Sequence, residues 1–504
     1  MRTIGVAAGL LGHELRKDVS ITGTINPDGT VGPVGGIEQK IDAAAEYGYK
    51  TVLIPIGQRF EESDSGRVDL VAHGAKQGVQ VREVGNFFEA YAMTTGQDLR
   101  RSQPPTSMST ALPAPLADLW RTVYQKAFGR VQKLRDEIAA LNQQVHPLVA
   151  QHLRASEKAS AAGQLALALE YVERAERLAL EQLITVQTRL ERAVRRGDVR
   201  GMSEALDELR SALETTAEGI EELREDLEDM EPAGLSDVPW LLEAYGTLAE
   251  ASVAASRGTA IIDAVDNTLS ELRERGRVGR DDDALERAGE QLLRAAYWYG
   301  QAQGLLHQAV DRQELFLSMP GAGSQPASAT LARYARIQLV GAYTTLEYFD
   351  RVELDDTARK AGVHVDVAQT NMVMADPTYA LAYGLRDDLY PPDEDNLYGL
   401  LATAWRSYEI NSLLIASYYN LDVEVDDVSS VDEDVLQYML DWNAQQARAA
   451  IANARERDVE PYLSLALYEI GAGLRQGDVR DRLAALRYFW RAEFMARVMT
   501  DLVR

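Results

Sequence analysis

Residues 20–55 read SITGTINPDGTVGPVGGIEQKIDAAAEYGYKTVLIP, and the hydrophobic period changes more than once inside them. In VSITGTI, residues 19–25, polar and apolar side chains alternate, so Ser20, Thr22 and Thr24 share one face of a strand and Val19, Ile21 and Ile25 the other. Asn26-Pro27-Asp28-Gly29 is turn chemistry, because Pro27 fixes φ and Gly29 tolerates a positive one. The chain is therefore expected to reverse into a second strand over residues 30–34 and close a hairpin. After Gly35-Gly36 the spacing becomes three and four. Ile37, Ile41, Ala44, Ala45 and Gly48 then share a helix face, with Glu38, Asp42 and Glu46 away from it. KTVLIP, residues 50–55, reads as a third strand.

Lys40 departs from this pattern. It lies three residues past Ile37 and four before Ala44, which places it at the edge of the apolar stripe instead of on the solvated side. Most helix lysines are solvated surface charges, since lysine is almost never fully buried unless paired. A lysine at the stripe's edge is expected to be partly desolvated, and burial penalises its charged form. The neutral amine that results can act as a general base.

Thr22-Gly23 on a strand, Pro33-Val34-Gly35-Gly36 as a turn, Lys40 at the sixth position of GGIEQK and the KTVLIP strand make this block resemble the proteolytic domain of the Lon-type serine proteases. The wording TGTINPDGTVGPVGGI is closer still to archaeal Lon-like proteases that lack a fused ATPase. The resemblance implies two roles. Lys40 would be the general base and acid of a Ser/Lys dyad, and Thr22 would hydrogen-bond and orient its amine. It also implies protein or peptide substrates; no cofactor is expected, and a homo-oligomer is left open. In the family the nucleophilic serine sits in a glycine-proline-serine-alanine-glycine segment that opens the helix before the hairpin. MRTIGVAAGLLG aligns with the later part of that helix, so the serine is expected before Met1, the match is expected to be truncated at its N-terminal side, and the chain as given is expected to be inactive.

Three serines in this part of the chain are candidates for the nucleophile. Ser20 shares a strand face with Thr22, but its surroundings resemble neither a nucleophile elbow nor a helix start, so a locally hydrogen-bonded strand serine is the plainer reading. Ser63 and Ser65 sit in EESDSG, which reads as a polar turn. His73, among Val71, Ala72 and Ala75, reads as a partly buried structural histidine.

The 504 residues exceed one core and call for two to four domains. A formal net charge of -26 argues against nucleic acid, because phosphate binding needs concentrated basic surface. Only eight of the 52 basic residues are lysines; an acidic, lysine-poor surface is what a protein kept soluble in high salt would show, and a GC-rich genome also favours arginine. Without cysteine, disulfides and thiolate metal sites are excluded, and the redox compartment is left open. His146 and His152 are the nearest thing to a metal-ligand pair, and their helical spacing is wrong for one, so no metal is expected. Neither GxxxxGK[ST] nor a strand-linked GxGxxG is present, so any ATP dependence would come from another protein. No apolar run reaches eighteen residues, and TIGVAAGLLG reads as a core helix rather than a signal peptide. The resemblance implies export or membrane association through segments outside this sequence, whose compartment stays unknown.

Beyond Pro55 the reading is a connector, GQRFEESDSGR, then a helix in VDLVAHGAKQG, a strand in VQVREV and a closing helix in FFEAYAMTTG. The alternation gives an α/β arrangement ending near Gly96. Residues 97–115, rich in proline and serine, read as a linker. The expected fold is an α+β proteolytic-type domain over residues 1–96 followed by a large all-α region, with long helices over 116–318 and a tyrosine- and alanine-rich part over 327–504. Leu206, Leu209, Leu213, Thr216, Ile220, Leu223 and Leu227 follow a heptad-like spacing on a long amphipathic helix. Further helices are expected at 238–276, 283–316, 327–349, 354–373, 396–420, 431–456 and from 459 onward, stacked as hairpins in the manner of tetratricopeptide-type packing without a clean repeat. The tyrosines in those helices read as core residues. The acidic stretch DVEVDDVSSVDED, residues 422–434, lacks the EF-hand glycine, so it reads as a solvated loop with a helix cap. A competing class is a non-enzymatic helical-repeat interaction scaffold that carries a degenerate protease domain.

Overall fold

Within the strand Thr51–Pro55, Leu53 packs to one side while Val52 and Ile54 pack to the other, and this alternation builds the N-terminal layers. A computed structural model describes residues 2–63, 66–99, 109, 112–275, 282–319, 321–389, 392–393, 395–421, 432–457 and 459–502. The chain opens with helix α1 (Arg2–Leu11) and strand β1 (Val19–Ile21), followed by a short hairpin of β2 (Thr24–Ile25) and β3 (Val31–Gly32). Helix α2 (Ile37–Glu46) leads into β4 (Thr51–Pro55), and a second hairpin pairs β5 (Phe60–Ser63) with β6 (Gly66–Asp69). Helix α3 (Leu70–Lys76), strand β7 (Gln80–Val84) and helix α4 (Phe87–Thr95) complete the region.

Strands β1, β4 and β7 form a parallel sheet in that order, with Val19 opposite Thr51 and Val52 opposite Val81. Helices α1 and α4 cover one face, where Ile4, Ala8, Ile21, Leu53, Ala90 and Tyr91 make a core. Helices α2 and α3 cover the other, with Ile37, Ile41, Ala44, Val52, Ile54 and Leu70. Each helical crossover thus returns the chain parallel to the strand before it, the α/β arrangement that buries both faces of such a sheet.

Two details differ from the sequence reading. Residues 19–25 are not one strand. Gly23 takes φ 136°, and the segment leaves the parallel sheet after Ile21 to pair instead with β3. A Cβ at Gly23 would lie 2.6 Å from Val31 Cγ1, so the bend requires glycine. The connector after Pro55 is itself a hairpin, with Arg59 and Asp69 paired at 2.8 Å across its base and Arg67 stacked 4.4 Å from the Phe60 ring centroid.

From Ala114 onward the described residues are helical or connect helices. Helices α5 (Ala114–Ala140), α6 (Pro147–Ala161), α7 (Leu165–Gln187), α8 (Leu190–Arg196) and α9 (Val199–Glu228) come first. The heptad-spaced residues of α9, from Leu206 to Leu227, are all buried. The two longest helices, α10 (Val238–Arg275) and α11 (Asp283–Leu317), pack along each other. Helix α12 (Ser328–Phe349) runs into a π-helical segment (Asp350–Leu354), and α13 (Asp355–Ala361), α14 (Val365–Ala375) and α15 (Pro377–Asp388) follow.

The single helix expected over 354–373 is therefore two, because Gly362 at φ 67° ends α13. Helix α15 was not anticipated; Asp376 caps it and Pro377 opens it. Helix α16 (Leu397–Leu414), a π-helical segment (Ile415–Asn420), α17 (Glu433–Arg455), α18 (Tyr462–Leu474) and α19 (Val479–Asp501) close the chain. The last two were expected as one helix and are separated at Gly477-Asp478, where Asp478 caps α19. One continuous apolar core runs through this region, from Leu116 to Leu502.

The 97–115 linker and the acidic stretch 422–434 lie largely outside the described residues. Asp432 at the end of that stretch accepts the N–H groups of Asp434 and Val435 and caps α17. Among the described residues no helix is long and apolar enough to cross a membrane.

Candidate active site

The turn before α2 is held from outside itself. Gln58, just past β4, receives the Val34 N–H at 2.8 Å on its amide oxygen and donates its amide N–H to the Val34 carbonyl at 3.0 Å. Glu61, on β5, accepts the N–H groups of Ile37 at 3.0 Å and Glu38 at 2.8 Å. A helix leaves its first N–H groups without intrahelical partners, and Gly36 at the N-cap has no side chain to satisfy them. A carboxylate from a neighbouring strand does so, with the favourable sign for a helix N-terminus.

Lys40 stands one turn into α2. Its Nζ donates to the Gly35 carbonyl at 2.6 Å, and the side chain is exposed. The expectation of a desolvated amine is thereby corrected. The buried stripe of α2 is Ile37, Ile41 and Ala44, and Lys40 flanks it on the side of the preceding turn, so its amine reaches back over that turn and not into the core.

Thr22 is partly buried between β1 and β2. Its N–H donates to the Leu53 carbonyl at 2.9 Å, the last hydrogen bond of the parallel sheet before Gly23 turns the chain away. Among the described residues no hydrogen bond joins Thr22 to Lys40. Ser20 is partly buried within β1, Ser63 ends β5, and Ser65 lies outside the described residues.

His73 has a different task. Its Nε2 lies 2.6 Å from Asp42 Oδ1 and its Nδ1 3.6 Å from Glu38 Oε1, so one imidazole on α3 bridges two carboxylates spaced four apart on α2. The signal was present in that four-residue spacing. His146 accepts the Leu148 N–H at the start of α6, and His152 stacks on Tyr171, so neither faces the other as a ligand pair.

Sequence reading missed what the first hairpin's tip touches. Asp28 accepts the Thr30 N–H at 2.9 Å and its hydroxyl at 2.6 Å, and its second carboxylate oxygen accepts the Asn443 amide at 2.9 Å. The Pro27 carbonyl accepts the Tyr408 hydroxyl at 2.9 Å, and the Asp28 carbonyl accepts Trp442 Nε1–H at 3.1 Å. From the other side the tip is tied to the β7–α4 junction, where Val31 N–H donates to Gly85 O at 2.9 Å. Asn86 at that junction donates to the Tyr438 hydroxyl at 2.7 Å, and burial pushes that phenol up to about 12. Helices α16 and α17 thus clasp the hairpin. A cavity of about 60 Å³ lies between α17 and the hairpin, bounded by Pro33, Gln58 and Tyr438.

Residues 3–85 match the family described as the Lon protease (S16) C-terminal proteolytic domain. The chain is 31% identical over 68 residues to the archaeal Lon protease of Methanocaldococcus jannaschii, covering 14% of this chain and 10% of that one. It is 48% identical over 52 residues to the Lon protease of Paraburkholderia phytofirmans, covering 10% and 6%. With the Lon protease of Escherichia coli the identity is 42% over 71 residues, covering 14% and 9%. The chain therefore matches a tenth or less of the length of each of these relatives. No solved structure matches it. The N-terminal region is thus similar to Lon proteolytic domains, a family that implies serine-peptidase chemistry, and the helical region after it has no counterpart in these alignments.

Proposed function

We propose that residues 1–96 supply the base side of a Lon-like serine endopeptidase, with Lys40 as general base and acid and Thr22 as the residue that orients its amine. The observation that carries this reading is the family match over residues 3–85, a range that includes Thr22-Gly23, Pro33-Val34-Gly35-Gly36 and Lys40. The geometry is compatible with it. A lysine reached by solvent and tethered to its own turn is open to a substrate and a hydroxyl nucleophile from another segment, and Gln58 and Glu61 hold that turn in place.

The nucleophile in this proposal is a serine on a segment preceding Met1. Lys40 takes its proton as the serine oxygen attacks the peptide carbonyl, then returns the proton to the leaving amine. Substrates are unfolded or flexible polypeptides, and the active form is a homo-oligomer. The helical region, fastened to the hairpin at Asp28, admits substrate or mediates assembly. The test is cleavage of casein by this chain alone and by the same chain preceded by a segment carrying the serine. The first is expected to leave casein intact and the second to cut it, with Lys40→Ala abolishing the cutting at unchanged far-ultraviolet dichroism. Undiminished turnover in Lys40→Ala refutes the dyad.

One observation favours a second reading. With its amine exposed and, among the described residues, not hydrogen-bonded to Thr22, Lys40 also suits a domain that has lost catalysis and serves as a docking piece for the helical scaffold. That reading expects no cleavage from either form of the chain.

A further inference from the structure

Inside the helical region, α5, α7, α10, α11, α15, α16, α18 and α19 line a cavity of about 210 Å³. Six arginines and four glutamates are among its lining residues. One wall is closed on itself. Arg406 lies 3.2 Å from Glu243, 3.3 Å from Glu250 and 3.1 Å from Glu409, while Arg487 and Arg491 reach Glu409 at 2.5 and 2.9 Å. Those charges are matched within the protein.

The opposite wall is not. Trp120 Nε1, Gln308 Nε2 and Arg312 Nη1 are buried and have no hydrogen-bond partner, on residues only 1%, 7% and 8% exposed. Leaving a buried donor unpaired costs about 1–3 kcal/mol, so three around one cavity need a reason. Gln308 and Arg312 are one turn apart on α11 and face the same way. The Arg312 guanidinium stands 5.8 Å from the Trp120 ring centroid, and its other nitrogen is already held by Glu173 at 2.9 Å.

These three groups are donors, while beside them Glu173 Oε1 also lacks a hydrogen-bond partner and stands in the ion pair with Arg312 Nη2. Arginines outnumber glutamates along the walls, and burial pushes Glu173 up to about 7, which reduces the negative charge opposing an anion there. A single water needs only about 10–15 Å³ of such space, so the cavity has room for a small organic body behind a charged head. Arg177 and Gln301 also line it and are only partly buried.

We infer that this cavity binds a small oxyanion, a carboxylate or a phosphate group, whose oxygens accept from Trp120, Gln308 and Arg312. The site lies in the helical region and is independent of the peptidase reading. It is tested on the full chain in phosphate-free buffer by calorimetric titration and thermal unfolding, with inorganic phosphate and succinate as separate probes. At least one probe is expected to bind saturably, one per chain, and to raise Tm with concentration. Phosphate alone would point to a phosphorylated ligand, and succinate alone to an organic acid.

Gln308→Leu removes a donor that has no protein partner, so the unliganded fold should be kept or strengthened while affinity falls about tenfold. Trp120→Phe keeps the ring's bulk, deletes Nε1–H and should weaken binding similarly. The inference is overturned if neither probe binds saturably up to millimolar concentration, or if binding is undiminished in both variants.

Discussion

The Glu61 carboxylate accepts the Ile37 N–H at 3.0 Å from 24 residues further along the chain, so a strand of the second hairpin caps the helix that carries Lys40. Gly36 at the N-cap offers no side chain, which makes this contact the cap. Glu61→Ala should cost about 1 kcal/mol of stability, the size of a lost helix cap. It should also speed amide hydrogen exchange at Ile37 and Glu38 relative to Ile41. Uniform exchange along α2 in the variant would show that Gly36 starts the helix unaided.

The clasp on the first hairpin gives a second prediction. A Cβ on Gly85 would lie 2.0 Å from the Tyr438 ring, so Gly85→Ala forces the junction and α17 apart. Overpacking of this kind costs about 1–3 kcal/mol. Tyr438→Ala removes the obstacle together with its hydrogen bond to Asn86, so the double variant should be less destabilised than the sum of the two singles. Strict additivity in urea unfolding would mean that the two parts separate freely in solution.

Much of the N-terminal fold was legible because its signals are local. Ile37, Ile41 and Ala44 repeat at helical spacing and are buried, and Asn26-Pro27-Asp28-Gly29 turns the chain as its residue types require. Where local pattern and tertiary pairing compete, pattern loses. Residues 19–25 alternate like one strand, yet β4 claims the first half and β3 the second, and Gly23 absorbs the difference. The exposure of Lys40 was not readable, since a residue at the edge of a stripe can lean either way and the choice was settled by its bond to Gly35. Nor could spacing reveal that Asp28 meets Asn443, 415 residues away.

Glu469, on α18, carries a pH signature. Burial raises its carboxyl to about 7, and its Oε1 has no hydrogen-bond partner. A carboxyl whose pKa is higher folded than unfolded binds the proton more tightly in the folded state, so its ionisation lowers stability as pH rises from about 4.5 through 7. Glu469→Gln should therefore stabilise the chain at pH 8, on the order of 2 kcal/mol after allowance for partial burial, and change little at pH 4. Equal unfolding midpoints for the two chains at pH 8 would contradict the assignment.

Glu409 is the opposite case. Fully buried on α16, it faces Arg406 at 3.1 Å, Arg487 at 2.5 Å and Arg491 at 2.9 Å, and although burial alone would raise its carboxyl, these three guanidinium groups prevail and hold it at about 2. Its folded pKa lies below the unfolded one, so the stability it contributes is present above about pH 4.5 and is lost as pH falls toward 2. Glu409→Gln would leave three buried arginines short of an anion, which should destabilise the helical region by about 3–5 kcal/mol at neutral pH. The loss should shrink on acidification, because below about pH 4.5 the unfolded wild-type chain takes up a proton at this carboxyl that the folded chain does not. Urea unfolding of both chains at pH 7 and pH 3 reads this directly, and a difference that stays constant between the two would show that the arginines draw their charge balance from Glu243 and Glu250 instead.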